Sequence, residues 1–264
     1  MLQADKVSFG YDTRTRVQVL DEVSVTIPRG GIVGILGPNG SGKTTLLRLL
    51  SGTRRPSSGR VLLDDQPIDR LSRRQVARRI AVVPQETQLA FEYTVREMVL
   101  MGRHPHLGLF EMEGPIDLAI ARDVLAATGT ADLEHRQFSR LSGGEKQRVV
   151  IAAALSQASD ILLLDEPTAS LDLAYPLEVA ALVAELNHTR GVTIAISTHD
   201  LNLAATVCRE LVLLRDGRVL AHGPTDDVLT PAHIRALYDV DADVRVHEAT
   251  GHLVVVPMAR RPRR

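Results

Sequence analysis

The residues from Gly37 to Thr45, Gly37-Pro38-Asn39-Gly40-Ser41-Gly42-Lys43-Thr44-Thr45, carry the first chemistry legible in the chain. Gly37, Gly42, Lys43 and Thr44 occupy the fixed places of the phosphate-binding pattern G-x-x-x-x-G-K-[ST]. Lacking Cβ atoms, Gly37, Gly40 and Gly42 let the backbone curl into left-handed conformations, so that successive N–H groups converge on an anion. A helix starting near Lys43 adds the positive end of its dipole. Lys43 brings a mobile cation to the β- and γ-phosphates, and Thr44 offers a hydroxyl to Mg²⁺. A nucleoside triphosphate is the ligand this stretch predicts.

Other groups able to act on a phosphate stand where apolar runs end. Ile161-Leu162-Leu163-Leu164 stops at Asp165-Glu166, as a strand buried on both faces would. Asp165 at its tip suits Mg²⁺, directly or through water, and Glu166 can accept the proton of a water poised on the γ-phosphate. Val192-Thr193-Ile194-Ala195-Ile196 leads to His199, and Ile80-Ala81-Val82-Val83 leads to Gln85. The carboxyl ends of parallel strands are where such sheets place ligand groups. Leu141-Ser142-Gly143-Gly144-Glu145 opens a helix, Ser142 capping it with Glu145 three residues on. Gly143 and Gly144 leave amides bare there, a second anion-binding helix end far in sequence from the first. Tyr11, in the turn Phe9-Gly10-Tyr11-Asp12, either stacks on a base or packs on the surface.

Those groups need a scaffold, and the patterning supplies one. Gly31-Ile32-Val33-Gly34-Ile35-Leu36 reads as a short buried strand before the phosphate loop, and Thr45 to Leu50 as a helix stopping at Gly52. Residues 2–9 and 17–27 alternate apolar and polar, predicting half-buried antiparallel strands. A strand at Arg60–Asp64 and a short basic helix from Leu71 to Arg79 follow. From Thr94, a plausible cap with Glu97, to about Gln157 no convincing strand occurs, so this region reads as a helical insertion, with helices near Val95–Met101, Pro115–Ala127 and Gly143–Ala158. Tyr175-Pro176-Leu177 begins another helix, Asp216-Gly217 turns a hairpin, and a helix at Pro231–Tyr238 precedes a hairpin through Val254–Val256.

Composition narrows the class. The 264 residues can bury a sizeable core, and 31 Lys and Arg against 32 Asp and Glu give a net charge of −1, no global reason to expect nucleic acid. The basic end Ala259–Arg264 is the local exception, of a kind usually just solvated. The single Cys208 rules out an intrachain disulfide and reads as a small buried hydrophobe. His104 and His106 flank Pro105 and make a poor metal site. No apolar run is long enough to span a bilayer, and Met1–Lys6 lacks the apolar core of a signal peptide.

The set resembles the ATP-binding subunit of ABC transporters over nearly the whole chain. The resemblance implies an α/β fold: a P-loop NTPase core of RecA type, an antiparallel β edge subdomain and an inserted α-helical subdomain. It divides the chain into a nucleotide-binding core (1–93 and 159–225), a helical subdomain (94–158) and a short C-terminal extension (226–264). It implies that Tyr11 stacks on adenine, that Gly37 to Thr45 form the Walker A loop, and that Gln85 senses Mg²⁺ and the transport partner. LSGGE at Leu141–Glu145 is similar to the family's signature motif. Asp165 and Glu166 close Walker B with Glu166 as general base, Asp172 lies in the D-loop beside the nucleotide, and His199 contacts the γ-phosphate. The cofactors implied are ATP and Mg²⁺.

The same resemblance implies two copies packed head to tail, each ATP between one copy's Walker A loop and the other's signature helix. It implies two transmembrane permease subunits, a substrate-binding protein acting through them, and a place on the cytoplasmic face of the plasma membrane. The run Thr94–Arg103 and the single-domain length look like importers of iron–siderophore, haem or cobalamin, although Tyr175-Pro176 stand where that group more often has His-Gln. Another importer, an exporter, or a soluble ABC protein are the alternatives.

Overall fold

The computed structural model describes residues 1–11, 18–87, 91–108, 110–168 and 175–260. Alternation dictates the first layer. Strands β1 (Leu2–Phe9) and β2 (Leu20–Ile27) bury every other side chain for much of their length and pair antiparallel, Leu2 opposite Ile27. After β3 (Ile32–Leu36) and helix α1 (Lys43–Leu50), strands β4 (Ser58–Leu63) and β5 (Gln66–Pro67) complete this sheet in the order β2-β1-β4-β5. Helix α2 (Arg73–Arg79), opened by a Ser72–Gln75 capping box, leads into β6 (Ile80–Val83).

The helical region follows. α3 (Val95–Met101), α4 (Pro115–Ala127) and α5 (Gly143–Ser156) pack on one another, α3 and α5 each begun by a capping box, from Thr94 and Ser142. Only an isolated bridge, Thr94 to Gln137, interrupts the absence of strand among the described residues of this region. Buried Arg103 pins it: its Nε donates to Asp117 Oδ1 at 2.8 Å and its Nη1 to Ser156 O at 2.7 Å.

The continuous apolar runs form the second sheet. β7 (Ile161–Asp165), α6 (Tyr175–Arg190), β8 (Thr193–Thr198), α7 (Leu201–Val207), β9 (Glu210–Arg215) and β10 (Arg218–Pro224) follow in order. The six strands line up as β10-β9-β3-β8-β7-β6, parallel except for the edge hairpin strand β10. β3, β7 and β8 are buried along their whole lengths because both sheet faces are covered. Leu46, Leu47 and Leu49 of α1 join the core between the two sheets, and the helices cover the other face. The short α8 (Thr225–Val228), α9 (Pro231–Tyr238) and the hairpin β11 (Val240–Val246) and β12 (Leu253–Arg260) close the chain.

Several bounds differ from the sequence reading. α5 ends at Ser156 rather than Ala158, since Ala158 adopts a left-handed φ of 50° that no helix continues. Residue 17, the first of the strand expected over 17–27, lies outside the described residues, and β2 starts at Leu20. α7 was not expected as a helix. No described helix is long and apolar enough to cross a membrane.

Candidate nucleotide site

The phosphate loop is shaped by contacts that only glycine permits. Gly42 sits at φ 105°, and a Cβ there would lie 2.6 Å from Leu20 Cδ2. At Gly37 a Cβ would lie 2.2 Å from the Leu214 carbonyl oxygen, so the chain passes hard against β9. The loop hangs between β3 and α1, whose first helical hydrogen bond runs from Leu46 N to Gly42 O at 2.8 Å, so the amides before Leu46 have no partner within the helix. Buried Lys43 donates from Nζ to Gly37 O at 2.8 Å and Pro38 O at 3.3 Å, staking both ends of one peptide stretch. Ser41 Oγ is buried without a hydrogen-bond partner, an orphaned polar atom inside the loop.

The acids lie on the neighbouring strands. Thr44 Oγ1 donates to Asp165 Oδ1 at 3.1 Å, and Ser197 Oγ donates to the same oxygen at 2.6 Å. Glu166 follows at a left-handed φ of 47°, its amide fixed by Ser197 O at 2.9 Å. That backbone sends consecutive carboxylates in different directions, Asp165 toward Thr44 and Glu166 toward Lys43. Glu166 Oε1 lies 3.2 Å from Lys43 Nζ, and its Oε2 lies 3.3 Å from His199 Nδ1. Glu166 is nearly buried while the His199 side chain is 56% exposed, so the imidazole forms the outer wall.

A cleft of about 680 Å³ opens over these groups, lined by Tyr11, Val19, Asn39, Gly40, Gly42, Lys43, Thr44, Thr45, Gln85, Glu166 and His199. All but Val19 are among the residues singled out in the sequence. Tyr11 is half exposed at one end. Its phenol oxygen is 3.1 Å from Thr45 Oγ1 and accepts from Arg48 Nη1 at 3.1 Å, while Phe9 meets its ring edge to face. The tyrosine is thus held on the surface by its hydroxyl, and it lines the cleft. Exposed Gln85 reaches the cleft from the end of β6.

Ser142, Gly143 and Gly144 do not line this cleft. They stand at the tip of α5, where the Ser142 amide donates to Glu145 Oε2 at 2.8 Å and holds that carboxyl below its ordinary pKa. Ser142 and Gly143 face solvent, and a Cβ on Gly144 would press to 3.3 Å on the Tyr175 ring. One of the two glycines therefore has a packing reason as well. Asp172 lies outside the described residues. His106 Nε2 meets Gln157 O at 2.8 Å, and among the described residues no cluster of three His, Cys, Asp or Glu is placed to hold a metal. Burial pushes the Cys208 thiol up to about 12, which leaves an inert packing group under Gly34.

Ser197 was missed in the sequence although it orients both acids. Its only signal was a small polar residue at the end of an apolar run, and His199 two positions later drew the eye. Val19 gave no signal.

A family model described as "ABC transporter" matches residues 20–169, over half of the chain. The cobalamin import ATP-binding protein BtuD of Halobacterium salinarum is 44% identical across 92% of this chain, which spans only 61% of that relative's length. The hemin import ATP-binding protein HmuV of Bordetella pertussis is 41% identical across 90% of this chain and 93% of its own. A solved ABC transporter described as of metal-chelate type, in an inward-facing conformation, superposes with a TM-score of 0.85 at 29% identity, covering 98% of this chain and 97% of its own. A bacterial ABC transporter cassette, 28% identical to this chain with a TM-score of 0.76, has been solved as a dimer and also in a post-hydrolysis state bound to ADP and phosphate. Motifs, cleft and relatives converge, and the chain belongs to the ABC transporter family.

Proposed function

We propose that this chain is the ATP-binding and ATP-hydrolysing subunit of an importer that takes up a metal chelate of the iron–siderophore, haem or cobalamin kind. The observation that carries the ATPase reading is the placement of Glu166 between Lys43 and His199 at the mouth of the phosphate loop. The loop amides and Lys43 bind the triphosphate, and Tyr11 offers its ring to the adenine. Glu166 takes the proton of the attacking water, and His199, engaged with Glu166 through Nδ1, presents its other ring nitrogen to the γ-phosphate. Ser197 keeps Asp165 and Glu166 aimed apart.

The donor set fits Mg²⁺, a hard cation that uses few protein oxygens. Thr44 Oγ1 and Asp165 would hold it, with Gln85 on the same cleft, and once bound it would neutralise charge on the phosphates.

The exposed tip at Ser142 and Gly143 has no phosphate to meet within its own chain. This supports a head-to-tail pair in which each copy closes the other's cleft. The reading assigns residues 1–93 and 159–225 to the nucleotide core, 94–158 to a helical subdomain and 226–264 to an extension. Two permease subunits would anchor the pair at the cytoplasmic membrane face, and a binding protein would deliver the substrate to them.

The test is Glu166→Gln. Removing the base while keeping the shape should lower ATP turnover by about 10²- to 10⁴-fold and leave ATP binding in place. A variant that still turns over at the wild-type rate defeats the assignment.

A further inference from the structure

His199 reaches the cleft without being buried in it: its side chain is 56% exposed, and its Nδ1 lies 3.3 Å from Glu166 Oε2. An imidazole this open is placed by its backbone rather than by packing. On one side that backbone belongs to the sheet, since Ser197 and Thr198 of β8 stand in register with Ile35 and Leu36 of β3. On the other side it runs into α7, seven residues long and too short to persist without tertiary support. What holds α7 therefore decides where the imidazole stands. Asp200 caps the helix, and its own amide donates to Thr198 Oγ1 at 3.0 Å. Leu203, Ala204, Ala205 and Val207 turn inward to the core.

The C-terminal extension, residues 226–264, supplies the rest of the hold. Among the described strands β12 pairs with β11 alone, Val244 opposite Val255, so its second edge has no strand. Asn202, exposed in the first turn of α7, stands against that edge. Its Oδ1 accepts the Val255 amide at 2.8 Å and its Nδ2 donates to the Val255 carbonyl at 3.3 Å. One side-chain amide thus makes both bonds that a neighbouring strand would make, and satisfies both backbone groups of a buried residue. The hairpin is itself anchored: Arg215 Nη2, at the end of β9, donates to Asp239 Oδ2 at 3.1 Å, and Ala242 and Val255 are buried in the core. At the far end of α7, Thr225 Oγ1, just before the extension, donates to Cys208 O at 2.6 Å. The helix is gripped at both ends.

We propose that Asn202 is a positioning residue of the nucleotide site: its clamp on Val255 sets the first turn of α7, and with it the place of His199 beside Glu166. The proposal rests on the ATPase reading of the cleft. Asn202 lies off the cleft lining and touches neither the phosphate loop nor Tyr11. Loss of the clamp should therefore reach hydrolysis and leave nucleotide binding alone. The extension, which the ATPase reading leaves without a task, becomes the outer support of the histidine.

Asn202→Ala in the full chain removes the clamp from an exposed position. The single-turnover rate of ATP hydrolysis should fall about fivefold, the size of one neutral hydrogen bond lost from the alignment. ATP affinity, measured on the Glu166→Gln background so that nothing turns over, should stay within about twofold. His199→Ala should lower the rate further than Asn202→Ala does. On that background Asn202→Ala should change nothing more, because the clamp has no imidazole left to place. An unchanged rate in Asn202→Ala overturns the proposal. Additive losses in the double variant overturn it too, as does a joint loss of rate, affinity and Tm, which would mark plain support of the fold. If the wild-type chain neither binds nor hydrolyses ATP, the reading of the cleft fails, a result distinct from any of these.

Discussion

Asp64 gathers three cations. The Met1 amino group lies 2.5 Å from Oδ1, and Arg29 and Arg79 each approach Oδ2 to 2.8 Å. The amino-group hydrogen bond first, then Arg79 and Arg29, hold its carboxyl far below the ordinary Asp value of 3.8, against the desolvation that opposes them. A depressed folded pKa means that the stabilisation is present above the unfolded value and is lost as pH falls through the folded one. Because the Arg29 side chain is 71% exposed, solvent screens much of this, and Asp64→Asn should cost only about 1 kcal/mol at pH 7. In urea unfolding the gap between wild type and variant should narrow as pH drops below 3.8; parallel curves would show that the cluster adds nothing. The contrast with the cleft is one of legibility. Asp165, Glu166, His199 and Gln85 could be read from the sequence because each ends an apolar run, and topology puts such ends at a ligand. Asp64 and Asn202 act through partners distant in sequence, Asp64 on Arg29 and Arg79 and Asn202 on Val255, and no local pattern announces them.

Elements were legible where local chemistry and burial agree. Thr94–Glu97 and Ser142–Glu145 mark helix starts that the structure forms as reciprocal caps. α7 escaped because its start signal served two purposes. Asp200 Oδ1 accepts from Asn202 N at 2.9 Å and Leu203 N at 3.0 Å, but beside His199 it read as a strand end bearing site residues. The run Thr94–Arg103, read as a capped helix and as a resemblance, has a further packing reason at its end. A Cβ on Gly102 would lie 2.1 Å from both Ala153 O and Ser156 Oγ, so glycine lets α3 press against α5. Arg103 then reaches across to Asp117 and Ser156 while buried itself. Arg103→Ala would strand the Asp117 carboxylate in the interior with only the Gly114 amide at 3.0 Å. The cost should be about 3 kcal/mol in equilibrium unfolding, and a loss under about 0.5 kcal/mol would mean that water replaces the guanidinium. Asp117→Asn on the Arg103→Ala background should recover part of it, since no charge is then left unpaired.

At the scale of the whole molecule, the phosphate loop and the exposed tip of α5 stand apart among the described residues. Ser142 and Gly143 are exposed at that tip, and none of the signature residues lines the cleft. If two copies close head to tail, each active site draws the cradle from one copy and the tip from the other. Such pairing has a consequence that no single-chain arrangement shares. Lys43→Ala should disable the cradle, and Ser142→Arg should block the tip by placing a bulky side chain where the partner's nucleotide would sit. Each variant alone should be inactive, because every site in its dimers has one defective half. In an equal mixture, a mixed dimer holds one site with both halves defective and one with both halves intact. Half of the dimers are mixed, so turnover should return to about a quarter of the wild-type rate if sites act independently, or less if both must fire together. The recovery should rise with the square of protein concentration while dimers are scarce, as association demands. If each chain works alone and the tip at Ser142 serves its own helix only, Ser142→Arg should turn over by itself; a mixture as dead as two inactive components, under conditions where wild type turns over, would equally defeat the shared site.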